Sequence, residues 1–131
     1  MDVLATWERG PSKVVPTEDL ASAVAASVVA YPGREALVFG DRSVSYGEFG
    51  SRVWTLARQL IAAGVGPDVA VAVCIPRSVE LLVAVHAVIA AGGQYVPIDT
   101  GAPVDRARYM VETSGASVVL VHAGLAVPAS V

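Results

Sequence analysis

The sequence predicts an α/β fold, helices layered on a largely parallel sheet with an N-terminal β-hairpin, on three observations. From Val69 onward, apolar runs alternate as strand, helix, strand, helix, strand with short joints, the order a parallel sheet with right-handed crossovers requires. The run Val69 to Ile75, VAVAVCI, is apolar without alternation, as in a strand covered on both faces. Helices are marked by explicit signals: Ser45 and Ser78 at starts, Gly64 and Gly92-Gly93 at stops.

Taken in order, residues 1–16 carry Gly10-Pro11 and Pro16 with little periodicity and read as a lead-in lying over another surface, with Trp7 as its anchor. The α/β portion spans 17–122. Its first helix starts at Thr17, which can cap, with Glu18 and Asp19 in the first turn and Leu20, Val24, Val28 and Tyr31 as the apolar stripe. Tyr31-Pro32-Gly33 stops it. Ala36 to Phe39, the turn Gly40-Asp41-Arg42, and Ser43 to Ser45 read as the hairpin.

Ser45-Tyr46-Gly47-Glu48 has the form of a capping box, in which the Ser45 hydroxyl accepts from the Glu48 amide and the Glu48 carboxylate returns to the Ser45 amide. Val44 and Phe49 hold the hydrophobic-staple positions. This helix buries Val53, Leu56, Ala57, Leu60 and Ile61, leaves Arg52, Arg58 and Gln59 near the wet side, and stops at Gly64. After the VAVAVCI strand and Pro76, Ser78 caps a helix with Glu80 in its first turn and Leu81, Leu82, Val85, Val88 and Ile89 on its apolar face. Gly92-Gly93 ends it. Tyr95 to Asp99 is a strand that Pro97 assigns to an edge or bulge. A helix from about Pro103 to Ser114-Gly115, a strand Ser117 to Val121, and a tail at 123–131 complete the chain.

The composition excludes several classes. Of 131 residues, 54% are hydrophobic and 16% charged, against roughly 25% charged in an average soluble domain. Such a chain is either very well buried or keeps apolar surface for protein outside itself. A net charge of −3 gives no footprint for nucleic acid or an anionic membrane. The longest apolar run, Val79 to Ala91, is too short to span a bilayer. Met1 to Gly10 has no secretory pattern, and Cys74 is the single cysteine, so neither an internal disulfide nor a zinc cluster is available. A cytoplasmic location is expected.

Four pieces carry a resemblance. Val44 to Phe49, VSYGEF; Val71 to Ser78, VAVCIPRS; Ile89 to Asp99, ending Tyr-Val-Pro-Ile-Asp; and Pro103 to Ala116 stand in the order and spacing of the adenylation domains of nonribosomal peptide synthetases. The chain thus resembles the N-terminal part of such a domain, in the adenylate-forming superfamily, from about Trp7 to His122. It departs at Ala90, where a lysine is usual, at Gln94, where a small residue is, and at Val44 and Phe49, where leucines are.

The resemblance implies a parent enzyme that uses ATP and magnesium to convert an amino acid to aminoacyl-adenylate. The acyl group then passes to the phosphopantetheine thiol of a carrier domain. The implied partners are the remainder of the adenylation domain and the carrier and condensation domains. The phosphate loop, ribose aspartate, amine-binding acid and catalytic lysine of that family have no counterpart here: no GxxxxGK(S/T) run occurs, and Lys13 is the only lysine. The chain stops just before the phosphate loop is expected. This portion is therefore expected to be structural, with no catalytic, cofactor-binding or metal residue and no cofactor of its own. Two other readings stand beside it: a non-catalytic interaction or dimerisation module that self-associates through apolar surface, and a fragment of an acyl-CoA or fatty acyl-AMP ligase. The full Tyr95 to Asp99 string favours the peptide-synthetase branch.

The chemically tempting residues have plainer readings. His86 lies at the margin of an apolar helix face. His122 ends a strand, where parallel sheets gather ligands, but is not assigned as one. Cys74 is inert packing, with nothing nearby in sequence to lower its pKa. Gly92-Gly93 follows a helix, so its amides form no helix N-terminus. Asp99 belongs to a strand-end turn, and Asp105 and Glu112 to a solvated helix. Arg77 is expected to tie its loop to a carboxylate.

Overall fold

The computed structural model describes residues 19–122. The lead-in, the Trp7 anchor and the tail lie outside them. Four helices and five strands follow in the order α1 (Leu20–Ala30), β1 (Glu35–Phe39), β2 (Arg42–Ser45), α2 (Tyr46–Ala62), β3 (Ala70–Cys74), α3 (Val79–Ala90), β4 (Gln94–Pro97), α4 (Val104–Ser114) and β5 (Val118–Val121). The fold is the predicted α/β layering, with a parallel sheet, flanking helices and an antiparallel hairpin.

The central strand is β3. It pairs in parallel with β4 on one side and β5 on the other. Its first four residues are buried, and their side chains alternate between two apolar clusters. Val71 and Val73 face the larger one, formed with α2 and α3; Ala72 faces the smaller one, with Ile98 and, on α4, Ala107. A residue run that buries both faces must be apolar throughout, which is why VAVAVCI shows no alternation. Each fully buried valine contributes roughly 1.5–3 kcal/mol. No polar or charged residue is buried among those described.

Caps set the helix ends. Ser45 Oγ accepts from Glu48 N at 3.2 Å, and Ser78 Oγ from Leu81 N at 3.2 Å. The return half of the first capping box does not form among the described residues: Ser45 is still a ladder residue, in register with Glu35, and Glu48 is exposed. Val44 and Phe49 are both buried in the main cluster, as staple positions should be. At the other end of α3, Gly92 N donates to Ile89 O at 2.9 Å and Gly93 N to Val88 O at 3.0 Å, the paired closure of a Schellman motif. Gly92, at φ +82°, takes the left-handed position.

Four expectations are corrected. Asp19 caps α1, its side chain accepting from Ser22 N, so the helix starts later than a Thr17 cap would have it; Thr17 itself lies outside the described residues. The α1 stripe is only partly inward: Val24 packs on the core, whereas Leu20 and Tyr31 are exposed and no α1 residue is buried. The buried face of α3 is Val79, Val83, Ala84, Ala87 and Val88, with Leu82 exposed. Ala84 and Ala87 take inward positions beside the valines, Leu81 packs at the margin of the core, and only Leu82 of the two leucines is left outside. On α2, likewise, Ile61 is exposed while Phe49 and Gly50 are buried.

Strand bounds shift by a residue or so. Pro97 ends β4, which lies at a sheet edge as its missing amide requires, and Pro103 stands just before α4 as its N-cap position.

Candidate functional site

In the order β4-β3-β5, the chain leaves β3 for one neighbour and then crosses back to the other side. Crossovers that part in this way leave a crevice at the carboxyl ends of the strands. Here those ends carry Cys74 and Ile75 after β3, Ile98 and Asp99 after β4, and Val121 and His122 at the end of β5. A cavity opens on each face. On the α4 side, one of about 470 Å³ is lined by Ile98, Asp99, Gly101, Pro103, Arg106 and Met110. On the α2 and α3 side, a groove of about 320 Å³ runs between Arg52, Leu56, Ile75, Glu80 and Val83, with Leu120, Val121 and His122 along its strand wall.

The charge in that groove is organised around Glu80. Arg42 Nη1 donates to Glu80 Oε1 at 2.6 Å, and Arg52 Nη2 stands 3.6 Å from the same oxygen. The Arg42 hydrogen bond, followed by a backbone hydrogen bond, holds the Glu80 carboxyl at about 2, far below its ordinary 4.5. Three elements thus meet on one carboxylate: the hairpin through Arg42, α2 through Arg52, and α3 through Glu80. Arg52 Nη1 is buried and has no hydrogen-bond partner among the described residues.

The chemically tempting side chains do not converge on this cluster. His86 is half-buried, its Nδ1 lies 2.8 Å from Leu82 O, and its ring meets Phe49 edge-on at 5.1 Å; it packs α3 against α2. His122 reaches the groove but has no acid or nucleophile paired with it among the described residues. Burial, with a smaller contribution from the charge of Asp99, pushes the Cys74 thiol up, which suits packing and not nucleophilic attack. Asp99 Oδ1 accepts from Gly101 N at 3.0 Å in a strand-end turn, while Asp105 and Glu112 are exposed on α4.

Arg77 is the correction. It is exposed and ties no carboxylate among the described residues; Arg42 and Arg52 do that work instead. Sequence reasoning missed this cluster because Arg42 and Glu80 are 38 residues apart. A signal was present, since Glu80 is the lone carboxylate on an otherwise apolar helix.

The donor set can be tested for a nucleotide and its metal. No three His, Cys, Asp or Glu side chains gather to hold a metal ion among the described residues. The N-termini of α2 and α3, the natural seats for phosphate, are closed by their own Ser45 and Ser78 caps. The Gly92-Gly93 amides are used in the α3 exit. The N-terminus of α4 differs: Pro103 gives it no side-chain cap, and it borders the cavity of about 470 Å³ beside Arg106.

A family model described as AMP-binding enzyme matches residues 24–130. Tyrocidine synthase 3 of Brevibacillus parabrevis is 43% identical over 94 residues, covering 72% of this chain and 1% of the relative. Bacitracin synthase 3 of Bacillus licheniformis is 47% identical over 89 residues, covering 68% and 1%. Among solved structures, the nonribosomal peptide synthetase FmoA3 superposes with a TM-score of 0.83 at 30% identity, over 91% of this chain and 13% of that one. The N-terminal subdomain of Klebsiella oxytoca NpsA gives 0.74 at 25% identity, over 83% and 29%. The chain spans a small fraction of the length of each.

Proposed function

We propose that this chain, which belongs to the AMP-binding enzyme family and corresponds to the N-terminal portion of a nonribosomal peptide synthetase adenylation domain, is that domain's scaffold and has no activity of its own. In the proposed parent enzyme, ATP and magnesium convert an amino acid to aminoacyl-adenylate, and the acyl group moves to a carrier-domain phosphopantetheine thiol. The remainder of the adenylation domain, with carrier and condensation domains, supplies the partners and the atoms that handle the nucleotide.

One observation carries this reading. The motif series folds into an apolar layered core, with the serine caps of α2 and α3 and the paired glycines after α3 spent on helix ends. The peptide-synthetase structure that superposes on the chain, with relatives named as tyrocidine and bacitracin synthases, favours that branch over an acyl-CoA or fatty acyl-AMP ligase. A cytoplasmic setting fits the single, inert Cys74. Among the described residues no helix is long and apolar enough to cross a membrane.

The test is amino-acid-dependent ATP–pyrophosphate exchange. The 131-residue chain is expected to stay at background with all proteinogenic amino acids supplied. A full adenylation domain beginning with it is expected to exchange with one or a few of them. Exchange by the short chain, or none by the full domain, would overturn the proposal.

A second reading, self-association as a non-catalytic module, has its own observation. The outer face of α1 leaves Leu20 and Val29 exposed, Val29 at 83%. A helix apolar on all sides is ordinarily covered.

A further inference from the structure

We draw no further inference here: the strongest candidate, the apolar groove of about 420 Å³ between α1 and α2 beside the exposed Val29, carries nothing because nothing in the structure shows what covers it.

Discussion

At Glu80 a single carboxylate gathers two guanidiniums from different elements, and its depressed pKa makes the arrangement measurable. Because the folded value, about 2, lies below the ordinary 4.5, its contribution is fully present above about pH 4.5 and is lost as pH falls toward 2. Glu80→Gln is expected to cost about 1 kcal/mol at pH 7, since the pair is partly exposed. The gap from wild type should close by pH 2 in chemical denaturation followed across pH; a gap independent of pH would refute the linkage. Gly93 is the other residue with a sharp expectation. A Cβ there would sit 2.7 Å from Val65 Cγ1 and 3.1 Å from Val69 O, so Gly93→Ala should destabilise by about 1–3 kcal/mol, read as a lowered urea midpoint. Residue by residue, the sequence discloses what local chemistry determines, such as the Ser78 cap and the Asp99 turn. It hides what depends on contacts between distant segments, which is why Arg77 reads as the tie to a carboxylate that Arg42 in fact provides.

Elements are legible where their ends are chemically marked. Both serine caps and the paired glycine exit of α3 are local, since each is made within about five residues. Replacing Ser78 by Ala should therefore cost about 1 kcal/mol. Amide exchange should quicken first in Val79 to Leu81 and leave α2 unchanged; uniform quickening would show that the cap has no local role. What the sequence conceals is the direction each helix faces. In α3 nearly every residue is apolar, so periodicity offers no contrast from which to read a face. Packing then decides, and Ala84 and Ala87 turn inward while Leu82 is left outside. On α1 a similar uniformity hides that Leu20 and Tyr31 point outward.

For the whole molecule, alternating apolar runs with short joints are enough to give the layers and the parallel sheet. Beyond the edge position that Pro97 marks for β4, they cannot give the strand order β4-β3-β5, because the rest depends on which crossover reverses. The candidate groove at β3 and β5 is hidden for the same reason, although His122 is legible as a strand end. The β5 edge carries an expectation for the short chain: Val121→Lys, a charge at an exposed position, should shift any concentration-dependent light scattering toward monomer. An unchanged scattering profile would locate self-association elsewhere, with α1 the next surface to alter.

The contrast between Pro97 on one flank and uncharged valines on the other also gives the sheet a direction of growth. During synthesis on a ribosome, the β4 flank offers a newcomer one amide fewer, at Pro97, than the β5 flank does. Stalled nascent chains lengthened stepwise should become protease-resistant first in Ala70 to Pro97. Segments made later should follow one at a time.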